Sequence, residues 1–157
     1  MMQKLNINIT LPSLNEIIKS AGYDARSRKS FATLKRNYTR VVSIFIDQCR
    51  LKPIRKGFFK FEWVEKNRKR DKDNVAAGGR KIIFDALVKN GILLGDGWDF
   101  VDGWVDTFTT NKSGSGVVVT IYERGNHESK ETKKEKSVRT KTDEAAKGSY
   151  EENQACC

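Results

Sequence analysis

The chain has 157 residues, enough for one domain with a hydrophobic core of its own. It is 38% hydrophobic and 32% charged, with a formal net charge of +10, and no run approaches the roughly 18 apolar residues of a membrane span. Three cysteines (Cys49, Cys156 and Cys157) without a CxxC or Cys/His cluster argue against structural zinc and a disulfide framework. With no signal peptide in view, they point to a reducing cytoplasm.

The charge is uneven. From Asn126 onward seven Lys/Arg balance seven Asp/Glu, with Tyr150 the one aromatic and no apolar period. That composition predicts a disordered charged tail over 126–157 and a folded domain over 1–125. The terminal Cys156-Cys157 reads as tail composition rather than a lipid anchor. All of the +10 then belongs to the domain, which holds 23 basic and 13 acidic side chains. Between Arg26 and Lys56 there are ten Lys/Arg and one acid, Asp47. So dense a positive field points to a polyphosphate or nucleic-acid partner ahead of a merely solvated surface.

In chain order, "KLNINITL" (4–11) alternates apolar and polar residues and predicts a half-buried strand ended by Pro12. A short helix is predicted around Leu14–Lys19. Ser30 to Arg50 is the clearest helix, with Ser30 as its N-cap. Phe31, Leu34, Tyr38, Val41, Val42, Phe45 and Cys49 recur at helical steps, and Lys35, Arg36 and Arg40 fall on the other side. That basic face reads equally as solvated surface or as a DNA-backbone contact. "GFFKFEWVEK" (57–66) predicts a strand. After a turn at Gly78-Gly79, Arg80 to Asn90 predicts a second helix stopped by Gly91. "GWVDTFTT" and "GVVVTIYE" predict strands around "NKSGSG". The expected fold is α+β: one domain, with a small mixed or antiparallel sheet packed by two main helices. Trp98 and Trp104, beside Asp99, read as core rather than as DNA contacts, and His127 takes no role.

The stretch "KRDKDNVAAGG" (69–79) sets Asp71 and Asp73 inside the densest positive charge. In extended backbone a two-residue step points both carboxylates to one side, where a divalent ion relieves their repulsion. Mg²⁺ needs only one or two carboxylates plus substrate phosphate. Asp96, between two glycines, is the candidate third acid, and Lys81 and Asp85 share a helix face. Three plainer readings compete: turn capping, weak surface ion pairs and a calcium loop. An EF-hand loop is excluded, because Ala76 and Ile82 stand where Gly and Glu are required. A glycosyltransferase DxD would need a larger nucleotide-sugar domain.

Taken together, Asp71-x-Asp73-Asn74, then Lys81 with Phe84-Asp85-Ala86-Leu87, then Asp96 eleven residues after Asp85, resemble the RusA family of Holliday-junction resolvases of bacteria and their phages. The likeness covers roughly residues 59–122. Two departures stand. Lys81 stands eight positions after Asp73 where the shortest family members place the lysine four positions after, which leaves Arg80 as an alternative to Lys81. Gly95 replaces a second acid before Asp96.

The resemblance implies a homodimeric, Mg²⁺-dependent endonuclease, with Mn²⁺ as a substitute, that cuts opposed strands of a four-way DNA junction. On it, Asp71, Asp73 and Asp96 would be catalytic metal ligands, and Lys81 would contact the scissile phosphate or leaving oxygen. Asn74 would orient a carboxylate or phosphate, and Asp85 would hold Lys81 or a water. Lys35, Arg36, Arg40, Lys66, Arg68, Lys69, Arg70 and Arg80 would bind DNA. Two alternatives remain open: a non-catalytic DNA-binding accessory protein, and a metal nuclease acting on other branched DNA.

Overall fold

A computed structural model describes residues 1–21 and 25–124, with the side chains of 25–29 left aside. The predicted tail over 126–157 lies outside the described residues. The elements in order are β1 (Met2–Ile7), α1 (Leu14–Ser20), α2 (Ala25–Cys49), β2 (Gly57–Glu65), α3 (Lys72–Lys89), β3 (Val101–Thr110) and β4 (Gly116–Glu123). The fold is α+β, with one four-stranded mixed sheet ordered β1-β4-β2-β3. β4 is antiparallel to both β1 and β2, and β2 is parallel to β3. A parallel pair cannot be closed by a hairpin, so α3 serves as the crossover from β2 to β3. Among the described residues no helix is long and apolar enough to cross a membrane.

Strand alternation builds the core. Phe59, Phe61 and Trp63 of β2, Leu5 and Ile7 of β1, and Val117, Val119 and Ile121 of β4 are buried. They meet Val42 and Ile46 of α2 and Val75, Ile82, Ile83, Phe84 and Leu87 of α3 in one cluster. Phe84 packs edge-on to Phe59 and Phe61, with ring centres 5.0 and 5.9 Å apart.

Several boundaries differ from expectation. β1 stops at Ile7, not Leu11, because Ile7 pairs with Val117 and its partner strand begins one residue earlier, at Gly116. α2 starts at Ala25, so Ser30 is an interior residue rather than an N-cap. Nothing in Ala25–Lys29 breaks a helix, and arginine, lysine and alanine favour one.

The largest correction concerns α3. It starts at Lys72 and runs through Gly78-Gly79, where a turn was predicted. The two glycines serve close approach. A Cβ on Gly78 would lie 2.6 Å from the Leu14 amide nitrogen and collide with the Pro12 carbonyl. A Cβ on Gly79 would lie 2.5 Å from the Trp63 ring. Each glycine costs a helix interior about 1 kcal/mol relative to alanine. Here that cost lets α3 sit directly on the entry to α1 and on the central strand. Gly91 does act as the predicted stop. It has a φ of 68°, and Ile92 N–H bonds back to the Leu87 carbonyl at 2.9 Å in a Schellman arrangement.

Candidate active site

The opening of α3 is held by an arginine clamp. Arg70 donates to both carboxylate oxygens of Glu65, at 3.0 and 2.7 Å, and to the Leu11 carbonyl at 2.9 Å. Its Nη1 also lies 3.4 Å from Glu16. The hydrogen bonds to Glu65 raise its pKa above the ordinary arginine value despite partial burial. Glu16 in turn closes a capping box with Ser13 at the start of α1. The Ser13 amide, then its hydroxyl and Arg70, draw the Glu16 pKa down against its burial. Arg70, expected to bind DNA, is therefore placed as a tie between β2, the 11–13 segment and α1.

Asp71 is the N-cap residue of α3, and Asp73 lies in the first helical turn. This corrects the expectation of two carboxylates on one side of extended backbone, since residues two apart on a helix do not face each other. Both acids favour a helix start. Yet the Asp71 side chain makes no capping hydrogen bond. Among the described residues its Oδ2 accepts only from Asn74 Nδ2, at 3.3 Å. Asp71 and Asp73 are exposed, as are Lys66, Arg68 and Lys69, which make no ion pair among the described residues.

Two turns further along α3, adjacent basic residues take opposite tasks. Arg80 faces the sheet, where its guanidinium pairs with Asp106 and lies 5.1 Å from the Trp104 ring centre. Asp106 also accepts from Trp63 Nε1 at 2.7 Å. Lys81 points the other way and is 55% exposed. Its Nζ lies 3.1 Å from Asp85 Oδ1 and 3.2 Å from Asp96 Oδ2. Burial works against its charge, but the hydrogen bonds and charges of Asp85 and Asp96 raise its pKa above the ordinary lysine value. Lys81 is thus a fixed cation at neutral pH and cannot act as a general base there.

Lys35 of α2 extends this row. Its Nζ is 2.9 Å from Asp85 Oδ2, in ion-pair contact but off the angle of a hydrogen bond, so that buried oxygen has no hydrogen-bond partner among the described residues. The result is an alternating chain: Lys35, Asp85, Lys81, Asp96. Helix spacing gave the Lys81–Asp85 pair; nothing in the periodicity of α2 says which acid Lys35 meets. Arg36 and Arg40 are exposed on α2 and make no ion pair among the described residues. Gly95, beside Asp96, leaves room for Phe100, whose ring would lie 2.7 Å from a Cβ there. Trp98 is 94% exposed and Trp104 is 50% exposed, which corrects their expected core placement. Trp98 stands out from the loop after Gly97, whereas Phe100 packs against Gly95.

The acids therefore form two groups. Asp71 and Asp73 mark the start of α3; Asp96 is tied to Lys81 and lies beside Asp85. At a rise of about 1.5 Å per residue, Asp71 lies about 15 Å along the helix from Lys81, whose ammonium holds Asp96, and about 20 Å from Asp85. Ligands of one Mg²⁺ lie about 2 Å from the ion and so within about 4 Å of each other. Asp71 and Asp96 of one chain do not fit a shared ion, and among the described residues no three His, Cys, Asp or Glu side chains converge as a metal group.

No protein-family model matches the chain, and no curated protein matches it.

Proposed function

We propose that the chain is a divalent-metal-dependent endodeoxyribonuclease that acts as a homodimer on branched DNA, with the four-way junction as its substrate. The observation that carries this reading is the pinned Lys81 between Asp85 and Asp96, on the exposed side of α3, in a domain with a large positive excess. Lys81 stays protonated and offers a fixed cation to a phosphate. Asp85, balanced by Lys35, sets its position. Exposed Lys66, Arg68, Lys69, Arg36 and Arg40 supply backbone contacts that hold DNA through counterion release.

Because the acids of one chain do not fit a common ion, Mg²⁺ or Mn²⁺ belongs to this reading only if two copies complete the site. In the proposed two-fold dimer, Asp71 and Asp73 of one copy would meet Asp96 and Lys81 of the other, and any such contact would occur twice. Such a dimer matches the two-fold symmetry of the junction. The metal would supply charge neutralisation and an activated water.

Mixed dimers test the composite site. Asp71→Asn and Asp96→Asn should each be inactive alone. Co-expressed, they should regain nicking, because one of the two sites then holds only unaltered residues. A co-expressed dimer as inactive as either parent would overturn the shared site.

A second reading is favoured by one observation: Asp85 and Asp96 are already neutralised by lysines. On that reading the chain is a DNA-binding accessory protein, and its acids only pattern charge. It would bind a junction tightly and leave it uncut.

A further inference from the structure

A cleft of about 700 Å³ opens between the start of α3 and the end of β3, within the size range of small-ligand sites. Arg68, Asp71, Lys72, Val75, Phe108 and Thr109 line it. We propose that this cleft takes one unpaired DNA nucleotide, with the base on Phe108 and the phosphate between Arg68 and Lys72. The proposal rests on the nuclease reading for its choice of DNA, since Asp71 lines the same cleft.

The sheet supplies the stacking surface. Phe59, Phe61 and Trp63 stack in a row along β2, with ring centres 6.3 and 5.8 Å apart. Trp63 then stacks across the strands on Phe108, at 6.4 Å and 20°. β3 is an edge strand, so among the described residues no further strand covers Phe108 on its outer side. What lies over its ring instead is the Lys72 ammonium, 5.7 Å from the centre. Lys72 is exposed and makes no ion pair among the described residues, so it is free to swing from the ring to an arriving phosphate. A π-face accepts any base, and an aromatic beside unpaired cations is the combination that binds single strands.

The cleft's charge agrees. Arg70 and Glu65 neutralise each other. That leaves Arg68 and Lys72 against Asp71, a net positive surface. A cleft of this size admits one nucleotide and not a duplex. An acidic peptide would satisfy the cations but leave the ring unused.

The test uses the full chain in EDTA, with fluorescence anisotropy of a short labelled single strand, the corresponding duplex and poly-glutamate. Phe108→Leu keeps an apolar side chain against Trp63 and removes the π-face; Lys72→Met removes an exposed charge that carries no fold. Each variant should lose about tenfold in single-strand affinity while duplex affinity changes little, as base–aromatic and phosphate contacts require. Wild-type protein that ignores the single strand would overturn the proposal. So would a Lys72→Met variant that binds the single strand as wild type does, or poly-glutamate that competes equally well. The nuclease reading fails separately: a wild-type chain that leaves a four-way junction uncut in Mg²⁺ would remove it and leave the cleft standing.

Discussion

Gly78 of α3 lies where any side chain would meet the backbone of Pro12, Ser13 and Leu14. Backbone cannot swing aside as a side chain can, so Gly78→Ala should destabilise the fold by about 2 kcal/mol or more, as overpacking does. The same substitution at an open helix site would stabilise by about 1 kcal/mol. Urea denaturation measures the difference, and a stabilised Gly78→Ala variant would contradict the close approach. A glycine pair signals either a turn or a near neighbour, and only the second depends on residues 64 to 66 positions away, so the pair reads as a turn from sequence. The Lys81–Asp85 pair was legible because it depends only on helix spacing. Lys81's link to Asp96 crosses a loop and needed the structure to appear.

At the scale of elements, β2, β4 and most of α2 could be read from their apolar pattern, because each buries one face; β3, an edge strand in which only Val101 is buried, could be read from its residue types and the turn that follows it. α3 could not be read from its start. Its first three residues, Lys72, Asp73 and Asn74, are all polar, so nothing there marks an inward side until Val75. This hid the fact that Asp71 and Asp73 begin a helix, and it made them look like a strand pair. The end of α2 carries its own prediction. Arg50 has a φ of 51°, a left-handed conformation that costs a non-glycine residue roughly 1 kcal/mol. Arg50→Gly should therefore raise stability by about 0.5 kcal/mol, after the larger chain entropy of glycine is counted. A lowered thermal midpoint would show instead that the Arg50 side chain contributes more than its backbone costs.

At the scale of the molecule, α+β architecture with two main helices was legible, since strand and helix periods differ so plainly along the chain. The parallel β2–β3 pair was not, because no local signal says which strands become neighbours. The split of the acids into two groups follows from that topology. α3 runs the whole length of the crossover, so its beginning and the loop after its end stand far apart. The proposed nuclease accordingly depends on a second copy. The two-fold charge pattern that follows, cations around each carboxylate group, suits a substrate with two equivalent strands.

The most direct test is incubation of the full chain with a synthetic four-way junction and Mg²⁺, read on a denaturing gel. The account predicts paired, symmetric nicks, lost in Asp71→Asn while junction binding persists. Tight junction binding by the wild-type chain with no nick in either strand would contradict it.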